Sequence, residues 1–507
     1  MSESAHTRLW QPNLIVFISS ACTMIVELVA GRIIAPYVGV SLYTWTSIIG
    51  VVLAGISLGN YLGGKLADRW ASLRLLGGIY LLAGLSCLSI LAMDQLSHLV
   101  PNSWPIVAKI LALATALFFA PSAFLGMVSP IVAKLAVRDL AETGSTVGKI
   151  YAAGAAGSIV GTFATGFVLI SWFGTRAIVW GVALVLFALG SLLLLSSRRR
   201  LLFLTTLVVA TVSVLTIRAG WLRGICTLET NYFCIKVEER EQDGNPVRVL
   251  ILDRLVHSFT SLDDPTVLVY IYEQMYAEAT AYQAKRQDDL RALFIGGGGY
   301  TFPRYMEALY PDSELHVIEI DPGVTQVAYE KLGLSRGTSI VTYNQDARLF
   351  VEQPPSQVYH LILGDAFNDY SVPYHLTTRE FNERVRAWLA DDGLYIVNII
   401  DGPSGDFLRA YIYTMRQTFR HVYLAPTNES WRRAPRSTFV IIGADVPLDL
   451  GAFKANSFLT GRLMSEQEVD ALLAEGKVET LTDYYAPVDQ MLAPVFRDQM
   501  SNAFSED

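Results

Sequence analysis

Acid is nearly absent from the first 223 residues, which hold 6 Asp and Glu against 15 Lys and Arg, a net +9. Charge so sparse over so long a stretch excludes an ordinary water-facing domain there. Cysteine is scarce too, with 4 in 507 residues. Two of them stand together in "CTLETNYFC", Cys226 to Cys234, with no second pair and no nearby His, which excludes a zinc site of the usual spacing. No low-complexity linker divides the chain. The N-terminal "MSESAHTRLW" lacks a cleavable-signal pattern, so the first apolar run is expected to be a retained anchor.

What fills the first half is apolar. Hydrophobic residues make up 52% of the chain, and the excess lies before Arg218. Seven runs are long enough to cross a bilayer, near residues 13–36, 43–64, 75–93, 106–128, 150–172, 176–196 and 201–217. The remainder of the chain carries −17, which argues against a nucleic-acid partner and suits cationic substrates. Four segments follow: a transmembrane helical domain over 1–222, a small β subdomain with a helix over 223–290, an α/β domain over 291–445 and a C-terminal segment over 446–507. Cys22 and Cys87 read as small apolar fillers. Cys226 and Cys234 are either two unrelated thiols or a disulfide, which would report an oxidising compartment.

In the second run Gly55, Gly59 and Gly63 are four apart, and in the fifth Gly154, Gly157, Gly161 and Gly166 repeat the habit. Such spacing lets helices touch closely in lipid. The segment "GGKLADRW" resembles the loop between the second and third helices of major-facilitator transporters, which makes six of the runs similar to half of such a transporter. In the first run Arg32 is expected to snorkel to the interface, and Glu27 is a candidate to line a cavity.

Beyond the joint at Arg218–Arg223 the pattern changes. "FCIKVEER" and "VRVLILD" read as antiparallel strands with "EQDGNPV" as the turn. Strand and helix then alternate from "ALFIGGGG" to "STFVIIGA", which implies a doubly wound, mainly parallel Rossmann-type sheet with ligands at the carboxyl ends of its strands. Gly296, Gly297, Gly298 and Gly299 form a turn able to approach a ligand before a helix N-terminus. The next strand ends at Glu319, suited to ribose hydroxyls; the third at Asp346 and Ala347, suited to an adenine amino group; the fourth at Asp365.

Over residues 247–400 the motifs "VRVLILD" with His257, "FIGGGG", "HVIEID", "NQDARLF", "LILGDAF", "HLTTREF" and "DGLYIVN" resemble the spermidine synthase family of aminopropyltransferases, which share the methyltransferase fold. The apolar front and the closing "LTDYYAPVDQML" are similar to that family's membrane-fused branch. The resemblance implies transfer of an aminopropyl group from decarboxylated S-adenosylmethionine to an amine such as putrescine, releasing methylthioadenosine. It implies a donor held by the glycines, Glu319 and Asp346 as co-substrate, with no permanently bound cofactor and no metal, and Asp365 as the acid beside the attacking amine. His257, Tyr272, Glu273 and Asn368 are the candidate substrate contacts, with Tyr300 and Phe367 as aromatic faces for the sulfonium. The Tyr270, Tyr272, Tyr276 cluster is equally readable as core.

The departures matter as well. The family's loop usually carries an Asp after its third glycine to bind the donor's amine, and Gly299 stands here; "DAFND" replaces a "DSSDP"-like motif. Without that acid the loop would tolerate the carboxylate of intact S-adenosylmethionine. Two other readings stay open: a methyltransferase or side-chain lyase or cyclase of the same fold that uses S-adenosylmethionine, and a non-catalytic membrane sensor or transporter of polyamine or nucleoside. A homodimer is also left open. The expected location is the inner membrane. Loops after the second, fourth and sixth runs carry Lys65, Arg69, Arg74; Lys134, Arg138, Lys149; and Arg198, Arg199, Arg200, which makes the N-terminus cytoplasmic and, with seven runs, the soluble half external. The cytoplasmic origin of adenosyl donors opposes that placement.

Overall fold

The computed structural model describes residues 3–498 apart from 102–103, 138, 196–210, 212–213, 215–217, 219, 221–223, 243, 367–371 and 454–456. The chain divides into two compact units, Met1–Cys234 and Ile235–Asp507. The boundary falls later than the 222 expected from composition.

In the first unit six helices among the described residues are long and apolar enough to cross a membrane: Pro12–Val38, Leu42–Trp70, Leu73–Ile90, Ile106–Ala136, Leu140–Phe173 and Thr175–Leu194, here helices one to six. They match the first six expected runs. The seventh, 201–217, lies outside the described residues except at isolated positions. The glycine spacing does what its period suggests. A Cβ at Gly59 would lie 2.1 Å from the Ala123 carbonyl oxygen of helix four, and one at Gly63 2.6 Å from Met127 Cα. On helix five, Gly157 and Gly161 meet the Phe17 and Ala21 carbonyl oxygens of helix one at 2.1 and 2.6 Å, whereas Gly166 meets nothing within 4 Å. A third contact, Gly77 of helix three against Gly190 of helix six at 2.9 Å, has no repeat to announce it.

A short strap completes this unit and explains the late boundary. Cys226 and Cys234 are joined by a disulfide, and the loop between them, which includes the two-residue strand β1 (Leu228–Glu229), is held by the helices. Arg32, near the end of helix one, donates through Nη1 to the carbonyls of Asn231 (3.0 Å) and Tyr232 (2.5 Å) and through Nη2 to that of Thr230. Ser171 Oγ donates to Asn231 Oδ1 at 2.9 Å. The Glu229 carboxylate accepts from Thr175 N (2.7 Å) and Thr175 Oγ1 (3.0 Å). It thereby satisfies orphan donors at the positive end of helix six. Arg32 thus directs its guanidinium to the strap's backbone carbonyls.

From its second residue onward β2 (Cys234–Gln242) belongs to the second unit, where with β3 (Asn245–Leu252) and β4 (Leu255–Ser261) it forms an antiparallel meander. The helix Ile271–Ala284 follows. Then come β5 (Arg291–Ile295), β6 (Glu314–Ile318), β7 (Val341–Tyr343), β8 (Tyr359–Gly364), β9 (Leu389–Asp401), β10 (His421–Pro426) and β11 (Ser437–Ala444), in sheet order β10-β11-β9-β8-β5-β6-β7. The strands from β9 to β7 are parallel and β11 runs against both its neighbours. This is the expected doubly wound, methyltransferase-like sheet, its order reversing between β5 and β8, where such sheets take ligands. β4 and β10 were not foreseen; β4 proves to line the site.

The glycine contacts make a direct prediction. Gly59→Ala and Gly157→Ala push backbones apart and should each cost about 1–3 kcal/mol, seen as a lower thermal midpoint in detergent. Gly50→Ala and Gly166→Ala, at positions with open space, should leave the midpoint unchanged; equal losses at all four would refute the packing account.

Candidate active site

The glycine loop is shaped by two constraints. Gly296 and Gly298 have φ of +101° and +48°, which suit glycine. A Cβ at Gly296 would lie 2.2 Å from the Asp365 carbonyl oxygen, so only glycine lets the end of β5 pass the end of β8. Asp365 N donates to the Ile295 carbonyl at 2.8 Å, fixing that crossing. The loop then enters the helix Thr301–Leu309.

Glu319, at the end of β6, is buried and braces the loop: Oε2 accepts from Gly297 N (2.9 Å) and Gly298 N (3.3 Å), and Oε1 from Asp321 N (2.9 Å). Burial raises its pKa, and the three backbone donors oppose the rise. Asp346 caps the helix Ala347–Val351, Oδ1 accepting from Arg348 N and Leu349 N, while Oδ2 lies 3.4 Å from His375 Nε2. The closing motif pins this corner, since Asp483 accepts from Arg348 Nη1 at 3.0 Å and from Thr378 Oγ1 at 2.7 Å.

A pocket opens between the loop and the end of β8, lined by His257, Ser258, Tyr272, Glu273, Tyr276, Gly296 to Gly299 and Asp365 among others. Asp365 is oriented from both sides, Oδ2 accepting from Tyr272 OH (3.2 Å) and Oδ1 from Asn398 Nδ2 (3.0 Å) of β9. Burial pushes its pKa up to about 6, those two hydrogen bonds working in the other direction. Glu273, 3% exposed, is pushed up to about 8 by burial and then by the Asp365 charge. Three polar atoms here are buried with hydrogen-bonding capacity unspent: Ser258 Oγ and Glu273 Oε2, which have no partner, and Tyr276 OH, which is approached by the Asn398 backbone. Two adjacent carboxylates and three unspent polar atoms form a site ready for a cation or a ligand rich in hydrogen-bonding groups.

The sequence-derived candidates therefore divide. The glycines, His257, Tyr272, Glu273 and Asp365 share one pocket; Asp346 and Ala347 stand at the end of β7, away from its lining. Tyr300 differs from expectation. Its side chain is fully buried and its hydroxyl pairs with Thr325 and Thr342 at 3.1 Å, so it anchors the loop from beneath and offers no face to the pocket. Phe367 and Asn368 lie outside the described residues. Ser258 and Asn398 were missed, though Ser258 directly follows the candidate His257 and Asn398 ends the quoted motif "DGLYIVN".

No protein-family model matches the chain. Among curated proteins it is 36% identical over 110 residues to a polyamine aminopropyltransferase of Vibrio vulnificus, covering 21% of this chain and 37% of that one. It is 29% identical over 146 residues to a probable polyamine aminopropyl transferase of Bifidobacterium longum, covering 28% and 32%. These matches span about a third of either relative's length. Polyamine aminopropyltransferase 2 of Streptomyces coelicolor matches at 24% over 437 residues, covering 80% of this chain and 76% of its own. Among solved structures, a probable spermidine synthase from Corynebacterium glutamicum has a TM-score of 0.43 at 22% identity, covering 48% of this chain and 93% of that one. The resemblance read from the motifs is thus shared with curated relatives.

The carboxylate pair sets a pH dependence. Both folded pKa values lie above the ordinary ones, so the stability they contribute is complete below the usual carboxylate range and is lost as pH rises through about 6 and then about 8. The thermal midpoint of the ligand-free protein should fall over that window, and Glu273→Gln should flatten the upper part of the fall. An unchanged profile in the variant would show that Glu273 does not titrate there.

Proposed function

We propose that the protein is a membrane-embedded aminopropyltransferase of the spermidine synthase type. An amine attacks the carbon beside the sulfonium of an adenosyl donor, the carbon–sulfur electrons pass to sulfur, and methylthioadenosine leaves. The observation that carries this reading is Asp365, buried and held by Tyr272 and Asn398 beside the glycine loop. An amine arrives protonated and must lose its proton to become a nucleophile, and a carboxylate with a pKa near 6 is ionised at neutral pH yet more basic than an ordinary one. The glycine turn, with Glu319 bracing it, supports the adenosyl end. The relatives' names point to a polyamine as acceptor, and the family's donor is decarboxylated S-adenosylmethionine.

Asp365→Asn keeps both hydrogen-bonding positions filled and removes the proton acceptor. Turnover should fall by roughly 10²–10⁴-fold, with donor affinity within a few-fold by calorimetry. Retained turnover would remove Asp365 from the chemistry.

We also propose that Ile235–Asp507 lies outside the cytoplasm. Helices one, three and five end, and helix six begins, on one side of the bundle, where Arg32, Ser171 and Thr175 hold the strap and Arg176 Nη1 meets the Leu91 carbonyl at 3.1 Å. Among the described residues the opposite side carries the basic ends of helices two and four, with Lys134 3.6 Å from Asp68. The positive-inside rule and the Cys226–Cys234 disulfide support the same assignment for the strap, and the second unit begins at the next residue. Alkaline phosphatase fused after Asp507 should be active and a fusion after Ala71 inactive; the reverse pattern would place the catalytic unit inside.

A further inference from the structure

The donor's tail is where this site departs from its resemblance. At Gly299 no side chain fits: a Cβ there would lie 2.0 Å from Ser258 Oγ, 2.9 Å from Ser258 Cβ and 3.0 Å from Thr260 Oγ1. β4 is pressed against the loop, and Thr260 is locked in turn to Thr301 by a 2.7 Å hydroxyl pair. The acid that would grip a donor's ammonium is therefore absent, and a serine hydroxyl stands in its place. Ser258 is 4% exposed, and its Oγ has no partner. Across the same pocket, Glu273 Oε2 is buried and unpartnered as well, and Tyr276 OH, approached by the Asn398 backbone, is buried with hydrogen-bonding capacity unspent.

The chemistry of these three atoms discriminates between donors. A hydroxyl hydrogen needs an acceptor, and an ammonium has none to give; a carboxylate has about four lone-pair sites. A tail ending in an ammonium alone satisfies Glu273 and leaves the two hydroxyl hydrogens unspent, at a cost for each buried donor. A tail carrying both an ammonium and a carboxylate satisfies all three atoms. Asp365, whose oxygens already accept from Tyr272 and Asn398, is left for the acceptor amine.

We propose that the tail pocket takes the amino-acid end of intact S-adenosylmethionine, with Ser258 receiving its carboxylate, so that the group transferred is aminocarboxypropyl. This rests on the amine-attack reading above, with Asp365 as proton acceptor, and revises its donor and hence the group transferred. The acceptor nitrogen forms a bond to the methylene beside sulfur, the carbon–sulfur bond breaks with its electrons on sulfur, methylthioadenosine leaves, and the amine's proton passes to Asp365. No oxidant or second co-reactant is needed. Burial and the Asp365 charge raise the Glu273 pKa to about 8, which lessens the negative charge facing the incoming carboxylate.

Donor binding to the full-length protein in detergent tests this without any acceptor. By calorimetry, intact S-adenosylmethionine should bind at least about tenfold more tightly than the decarboxylated donor. Ser258→Ala should weaken the intact donor by about tenfold, the effect of one hydrogen bond to a charged group, and shift the decarboxylated donor by less than about twofold. A merely structural role for Ser258 would weaken both alike. Tighter binding of the decarboxylated donor, or equal losses for both, overturns the inference. A parallel assay with putrescine and each donor reads methylthioadenosine and product mass. Turnover of the decarboxylated donor alone overturns the inference and leaves the transferase reading standing. No methylthioadenosine from either donor counts against both, and a methylated acceptor with S-adenosylhomocysteine overturns the proposed transfer.

Discussion

Where β5 ends, its backbone passes so close to the end of β8 that a Cβ at Gly296 would overlap the Asp365 carbonyl. The two strands are parallel neighbours, paired from Ala292↔Leu361 to Ile295↔Gly364, and the sheet order reverses at this point. The crossing therefore brings a ligand-binding turn and a carboxylate to one spot without any side chain having to reach. The other contacts around the site depend on it. Glu319 ties down the far side of the turn, Tyr300 anchors it from below, and β4 closes over Gly299. A larger residue at 296 would separate the turn from the carboxylate before it disturbed anything else.

Burying two carboxylates side by side is unfavourable in the empty protein, and raised pKa values are how that cost is expressed. A positive charge placed between the two carboxylates would lower both pKa values and relieve that cost. Tyr272 serves both sides of this balance. It donates to Asp365, stacks on Tyr270 with ring centroids 5.2 Å apart and meets Tyr276 edge to face at 5.4 Å. Within the tyrosine cluster the rings pack together while the hydroxyls diverge: that of Tyr272 reaches Asp365, and that of Tyr270 donates to the Val256 carbonyl at 3.2 Å.

What was legible in the sequence was whatever depends on a short period or a strand end. Gly55, Gly59 and Gly63 repeat every four residues because a helix returns to the same face, and the contact with helix four follows from sterics alone. The glycine turn, Glu319 and Asp365 follow β5, β6 and β8, and strand ends of such a sheet converge. What was not legible depended on which side chain of one element meets which gap in another. Ser258 fills the space at Gly299, although the two residues are far apart in the chain. Asn398 reaches Asp365 from β9, and Tyr300 turns inward because its backbone is left-handed, with φ of +56°. The Gly77–Gly190 contact needs one glycine from each of two helices, so neither helix signals it.

The strap illustrates a third kind of information, carried by chemistry that is ambiguous in isolation. Cys226 and Cys234 are too few to define a framework, and Arg32 alone reads as a snorkelling cation. Together they enclose a loop whose carbonyls accept from Arg32 and whose Glu229 caps helix six. Each interaction lies at the same end of the bundle, away from the basic loops. A disulfide at that end persists only in an oxidising compartment, whereas a cationic guanidinium paired with neutral carbonyls is indifferent to redox state. The strap's position and the bond that closes it therefore rest on separable physics: the first on hydrogen bonds within the helical unit, the second on the redox state of its surroundings.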